Sequence, residues 1–234
     1  MNVPQPESFL AIRGIQLTAR DKEICVFLQQ WRYANVKQLA KKFGTSTPAM
    51  YRRLDKLCRA SIIKHEKVLA DKPGVYRCLP KGRMLADTNL PPVERISEHF
   101  FRHTVAAVDV ALALEQESPR LLSEQELRSD KGINVFSTKK GKKEHCPDII
   151  AYMPDGKIVA VEVELSAKNK ERIEGIFRWY FQHSEYHEVR YYVPGEAMAH
   201  RILSYGGSRD YVKLYMLSTM REWKTPQKSL DFGG

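Results

Sequence analysis

Pro147-Asp148-Ile149-Ile150-Ala151-Tyr152-Met153-Pro154-Asp155-Gly156-Lys157-Ile158-Val159-Ala160-Val161-Glu162-Val163-Glu164-Leu165 is the stretch that decides how the carboxy-terminal half folds. Its centre, Pro154-Asp155-Gly156, is a turn by mechanism: Pro fixes φ, Gly accepts positive φ, and the residues on both sides are apolar and often β-branched. A β-hairpin follows. Antiparallel pairing about that turn sets Asp148 opposite Val161 or Glu162, and a one-residue bulge at Gly156 makes Asp148 and Glu162 face each other. Period-two alternation then sends Val159, Val161, Val163 and Leu165 to one face and Ala160, Glu162 and Glu164 to the other. Directly paired strand positions lie roughly 5 Å apart and positions two along a strand roughly 7 Å apart. Carboxylates that close repel unless a cation sits between them, and hard oxygen ligands of this kind suit Mg²⁺ or Mn²⁺. The bland alternative is a solvated acidic edge strand balanced by lysines. It is disfavoured because acidic side chains in so apolar a strand are costly to bury without a partner.

Outward from the hairpin, the pattern predicts a helix over about Asn169–Gln182, a strand over Val189–Val193, a helix over Gly195–Leu203 and a strand over Tyr211–Leu217. Residues 221–234 read as a tail. Upstream, residues 93–116 read as one long helix with a wide apolar surface that includes Ile96, Phe100, Phe101, Val105, Val108 and Leu112, so it is expected to be buried. Lys139-Lys140-Gly141-Lys142-Lys143 is a basic loop that suits a phosphate backbone or simply a solvated surface. His183 and His187 have the spacing of a zinc pair but fall at a helix end and loop, which argues against zinc.

The first 90 residues read differently. Thr18-Ala19-Arg20-Asp21 has the form of a capping box, followed by Ile24, Phe27, Leu28 and Trp31 at helical spacing. Asn35 caps a second short helix that stops at Gly44. Thr47 caps a third, with Pro48 at its first position and Met50, Leu54 and Leu57 as its inward stripe. That assignment leaves Tyr51, Arg52, Arg53 and Lys56 pointing away from the core. Ile62–Leu69 and Val75–Leu79 then read as two strands joined by a Pro-Gly turn, and Asp87–Pro92 as a linker. Three helices and a basic hairpin make a winged helix-turn-helix. The expected DNA-contacting residues are Thr47, Tyr51, Arg52, Arg53 and Lys56 on the third helix, with Lys72 on the wing beside Lys64, Lys67 and Arg77. Base contacts and phosphate contacts are not separable at this level.

Charge supports a division into residues 1–90 and 91–220. The chain of 234 residues carries a net charge of +10, and all of it lies in residues 1–90, where seventeen basic residues face seven acidic ones; the remainder has twenty-one of each. Such asymmetry points to one unit that meets a polyanion and one with another task. No apolar run approaches the roughly 18 to 20 residues that span a bilayer, and the amino terminus lacks the basic and apolar regions of a secretory signal, so the expectation is a cytoplasmic protein. Four cysteines without a Cys-x-x-Cys pair suggest neither a zinc knuckle nor a disulfide framework.

Pro147-Asp148, the fourteen-residue step, and Glu162-Val163-Glu164 resemble the motif of the PD-(D/E)xK nuclease superfamily, and the order of elements over residues 120–220 fits its restriction-endonuclease-like fold. The fold class expected is therefore α+β: a winged helix followed by an α/β domain with a mixed central sheet. Together with the winged helix and the segment Ser97–Val105, the chain looks like the replication-relaxation family and, within it, MOBC-type plasmid mobilisation relaxases. The resemblance implies a metal-dependent endonuclease that nicks one strand of double-stranded DNA at a transfer-origin-like site, with a relaxosome accessory or coupling protein as partner. It also implies site residues: Asp148, Glu162 and Glu164 as catalytic carboxylates, Asp148, Glu162 and Glu126 as ligands of Mg²⁺ or Mn²⁺, and Glu124 as the competitor of Glu126. One departure is plain, since Glu164 stands where the superfamily has Lys. Lys168, just past the strand, is the candidate to supply that charge. If neither Lys168 nor Lys170 reaches the site, the domain binds DNA without cutting it. A third reading uses Tyr180 or Tyr186 as a nucleophile that forms a covalent phosphotyrosine.

Overall fold

The computed structural model describes residues 11–12, 15–129, 145–166, 168–206 and 210–224. The basic loop at residues 139–143 lies outside them. The chain divides into two compact units, the first running to Leu112 and resuming over Leu122–Cys146, the second comprising Ala113–Leu121 and the residues from Pro147 onward.

In the first unit a short pair, β1 (Ala11–Ile12) and β2 (Ile15–Gln16), precedes α1 (Ala19–Gln30). Asp21 accepts from the Thr18 backbone N–H at 2.7 Å and the Thr18 hydroxyl at 2.9 Å, which closes the capping motif read in the sequence. β3 (Ala34–Asn35), α2 (Val36–Lys42), α3 (Thr47–Arg59), β4 (Ile63–Glu66), β5 (Val75–Cys78) and α4 (Pro80–Ala86) follow. The three strands pair antiparallel in the order β3-β5-β4, which completes a winged helix. β3 escapes the sequence pattern because two residues carry no periodicity. The cap of α3 is Ser46, whose hydroxyl accepts from the Ala49 N–H at 3.4 Å; Thr47 is already helical.

The first unit extends past residue 90. α5 (Glu98–Leu114) sends Phe101 into a cluster with Tyr33, Val75 and Ile96, and the Tyr33 and Phe101 rings stack 6.0 Å apart. Gln38, the N3 residue of the α2 capping box, is 3% exposed and donates to Val105 O at 2.8 Å and Asp109 Oδ1 at 2.9 Å. Burial raises the Asp109 carboxyl above its ordinary range. Phe100, expected on the buried side of this helix, is 56% exposed in its first turn, beside His99. α6 (Glu124–Ser129) belongs to the same unit: Gln125 donates to Gln29 O at 2.8 Å and accepts from Arg32 Nε at 2.9 Å.

The remaining strands form one six-stranded mixed sheet. β6 (Arg120–Ser123), β7 (Ile149–Tyr152), β8 (Ile158–Val163), β9 (Glu188–Val193), β10 (Val212–Met216) and β11 (Arg221–Trp223) lie in the order β11-β10-β9-β8-β7-β6. β7 and β8 are the expected antiparallel hairpin, with Gly156 at φ +84° in its turn. β8 runs parallel to β9 through α7 (Lys170–Gln182), and β9 runs parallel to β10 through α8 (Glu196–Gly206). Five of the six residues in both β8 and β9 are buried, as in strands covered on both faces. The tail assigned from residue 221 begins with a strand: β11 pairs antiparallel with β10, Leu214 opposite Trp223.

An ionic network ties the β9 side of the sheet. Buried Arg190 reaches Glu188 at 2.5 Å and Glu117 at 2.9 Å, and Lys213 reaches Glu188 at 2.7 Å. Burial alone would raise the Glu188 pKa, but the hydrogen bonds from Lys213 and Arg190 outweigh it and hold the carboxyl below its ordinary value. A carboxyl with a lowered folded pKa contributes stability that is present above the unfolded value, about 4.3, and is lost as pH falls through the folded value. Urea unfolding should therefore weaken through the acid limb below about pH 4.3, and Glu188→Gln should flatten that limb; an unchanged acid limb would exclude Glu188 as its source.

Candidate functional site

The basic face of the winged helix is narrower than the sequence implies. Tyr51 is 50% exposed, and Arg52 and Lys56 are exposed along the same helix, with Thr47 half-buried at its start. On the wing, Lys72 lies 3.5 Å from Asp71, Lys67 Nζ donates to Lys72 O at 2.5 Å, and Lys64 reaches Glu66 at 3.2 Å. Two arginines are turned inward. Arg53 makes a two-pronged ion pair with fully buried Asp21, Nε to Oδ1 at 2.5 Å and Nη2 to Oδ2. Its assignment to the DNA face is therefore corrected: it joins α3 to the start of α1. Arg77, 8% exposed, binds Glu66 at 2.6 Å and Val93 O at 2.9 Å. Position along a helix or strand does not reveal that an acid elsewhere in the chain claims the guanidinium.

The acidic site is built on the β7–β8 hairpin. The ladder runs from Tyr152 opposite Ile158 to Ile149 opposite Val161, and Asp148 lies just beyond it, its N–H donating to Val161 O at 3.0 Å. Asp148 is half-buried and its Oδ2 accepts from the Val163 N–H at 2.7 Å, so the backbone of the next strand orients the carboxylate. Glu162 and Glu164 are each 3% exposed. Glu162 Oε1 accepts from the Tyr180 hydroxyl on α7. Glu164 Oε2 is 2.5 Å from Lys168 Nζ, and its other oxygen accepts from the Ser166 N–H at 3.4 Å. The four residues Asp148, Glu162, Glu164 and Lys168 thus share one neighbourhood, with the lysine reaching back from just before the α7 cap, Asn169.

Two tyrosines complete it. Tyr180 is 3% exposed, and burial first, then the charge of Glu162, raises its phenol well above the ordinary range. That environment holds the proton on and works against a nucleophilic phenolate. Tyr186 is also buried, at 8%. Tyr191 on β9 pairs across the ladder with Glu162, stacks on Phe177 at 5.6 Å, and has its phenol raised by burial and by the charges of Glu162, Glu164 and Asp148. Its hydroxyl is buried without a hydrogen-bond partner among the described residues. Nothing in the sequence marks Tyr191, because it sits in a parallel strand and meets the acidic residues only through the β8–β9 register.

Glu126 makes its hydrogen bonds within its own unit. It lies in the first unit, where its Oε2 accepts from the Ser123 N–H at 2.8 Å, the Ser123 hydroxyl at 2.9 Å and Gln30 Nε2 at 3.0 Å. Glu124 pairs there with Arg32 at 3.2 Å and Arg128 at 2.8 Å. His183 and His187 serve separate backbone groups, Trp179 O at 2.7 Å and the Ile158 N–H at 3.1 Å. Among the described residues no three His, Cys, Asp or Glu side chains come together as a metal-holding group. Mg²⁺ needs fewer, since it keeps several waters and is commonly held by one or two carboxylates plus substrate phosphate. Asp148 and Glu162, held close together at the end of β8 beside the buried Tyr191 hydroxyl, offer the oxygen donors such a hydrated ion takes.

Fold and sites together define a two-unit α+β protein, a winged helix followed by a mixed sheet with a buried acidic cluster. No protein-family model matches the chain, and no curated protein matches it. Among solved structures it is similar to a double mutant of ZitR from Lactococcus lactis, at 20% identity and TM-score 0.29 over 34% of this chain and 58% of that one. It is likewise similar to the adhesin competence repressor AdcR from Streptococcus pyogenes, at 20% identity and TM-score 0.29 over 54% of this chain and 84% of that one. The chain thus spans little more than half the length of the first of these. Among the described residues no helix is long and apolar enough to cross a membrane.

Proposed function

We propose that this protein is a metal-dependent DNA endonuclease that nicks one strand of a duplex at a transfer-origin-like site, its winged helix holding the DNA. The observation that carries the reading is the gathering of Asp148, Glu162 and Glu164 at the end of β8, Asp148 Oδ2 on the Val163 N–H between the two glutamates and Lys168 upon Glu164. The order helix, hairpin, helix, strand, helix, strand around that pair supports a restriction-endonuclease-like unit. Asp148 and Glu162 would hold Mg²⁺ or Mn²⁺, which supplies Lewis-acid stabilisation of the phosphodiester and a nucleophilic water near neutral pH. Tyr180 and the Val163 N–H fix the two carboxylates in place. Lys168, partly neutralised by Glu164, brings positive charge to the position left without it by Glu164 and meets the negative charge that develops on phosphate. Tyr51, Arg52, Lys56 and Lys72 supply aromatic and cationic contacts to the duplex.

A second reading is favoured by one observation. Glu164 replaces the lysine of the nuclease motif and takes Lys168 into an ion pair, which suits a DNA-binding relaxosome accessory or regulator that retains a nuclease-like scaffold.

Nicking of supercoiled plasmid that carries the protein's own locus separates the two. With Mg²⁺ or Mn²⁺ present, open circles should form, vanish in EDTA and vanish in Asp148→Ala while DNA binding is spared. Products should carry no protein after denaturant and protease. Tight binding without a nick in either metal would establish the regulatory reading, and unchanged cleavage by Asp148→Ala would remove the site assignment.

A further inference from the structure

We infer that Tyr191 is a positioning residue of the acidic site, its hydroxyl hydrogen-bonding a hydration water of the divalent cation between Asp148 and Glu162. This rests on the reading of that cluster as a metal site. Three observations converge on it. Tyr191 is 2% exposed, and among the described residues its hydroxyl has no partner although it belongs to the class of buried polar groups that are nearly always bonded. The β8–β9 ladder sets Tyr191 beside Glu162, and Asp148 accepts from the Val163 N–H next to Glu162, so the two acids and the phenol gather at the end of β8. The ring is held by stacking on Phe177 at 5.6 Å and 22°, so the hydroxyl is aimed by packing and does not select its own direction.

The neighbouring tyrosine makes the contrast. Tyr180 spends its hydroxyl on Glu162 and orients that carboxylate. Tyr191 has no such bond, and an orphaned hydroxyl beside three carboxylates has the chemistry to bridge a water rather than to bind the ion directly, since a neutral phenol is a poor ligand beside carboxylates. A cation that retains several waters, as Mg²⁺ and Mn²⁺ do, brings a donor and acceptor to that position. Tyr191 therefore acts through water on cation affinity and does not touch the reacting phosphate.

The test is titration of the full chain with Mn²⁺ alone, with free ion followed by electron paramagnetic resonance and circular dichroism and thermal unfolding recorded in parallel. Wild type should bind Mn²⁺, and Tyr191→Phe should weaken binding about tenfold, the loss of one bridged hydrogen bond. The metal-free variant should unfold at or above the wild-type temperature, because the substitution removes a buried hydroxyl that lacks a partner and keeps the ring. A structural role alone would instead lower that temperature. Equal Mn²⁺ affinity in Tyr191→Phe, with Asp148→Ala abolishing binding, would overturn the role of Tyr191 and leave the metal site standing. Wild type that binds no Mn²⁺, or binds it equally in Asp148→Ala, would overturn both.

Discussion

Replacing Arg53 by alanine is expected to destabilise the winged-helix unit by about 3 kcal/mol, because removing one partner of a buried ion pair leaves the other charge uncompensated. Asp21 is fully buried and its two oxygens receive Arg53 Nε and Nη2. The Thr18 N–H and hydroxyl remain as donors, which places the effect at the lower end of the usual range. Arg53→Lys should recover part of the loss, since an ammonium supplies the charge without the fixed two-pronged geometry. Urea or thermal unfolding checks both. An arginine on the DNA face gives the opposite pattern, with unchanged unfolding and weakened DNA binding. Arg52→Ala, on the exposed side of the same helix, should show that second pattern.

Gly82→Ala is expected to destabilise the same unit by about 2 to 3 kcal/mol, the upper part of the range for forcing an extra carbon into a packed site. Helix propensity alone predicts the reverse sign, since alanine exceeds glycine by up to about 1 kcal/mol inside a helix. Packing wins because a Cβ on Gly82 would stand 2.3 Å from Ile62 O, and that carbonyl is held by the Leu79 N–H at 2.9 Å. The obstacle is backbone rather than the end of a mobile side chain, so it cannot step aside without breaking the join between β5 and α4. A variant at least as stable as wild type would show that α4 can shift away from Ile62.

The hairpin at residues 147–165 shows how far local pattern reaches. Pro154-Asp155-Gly156 and the alternation around it place the turn and the two strands before any tertiary contact is known, because turn chemistry and strand period act over a few residues. The first three helices, α1 to α3, follow for the same reason, through caps at Thr18 and Asn35 and apolar residues at helical spacing. Local pattern loses its hold where two residues pair across a long stretch of chain. Arg53 and Arg77 read as solvent-facing because their own elements put them there, yet Asp21 and Glu66 draw both inward.

Local backbone preference and side-chain period account for the winged helix, the hairpin and the acids upon it. Long-range packing accounts for the rest. The parallel register of β8 on β9 brought Tyr191 to Glu162, and the return of α7 brought Tyr180 there. The bond from Gln38 to α5 carried that helix into the first unit, and Ser123 with Gln30 kept Glu126 there as well. Each of these depends on contacts between residues far apart in the chain, whose closeness is set by the burial of whole faces and not by any motif that a short window of sequence contains.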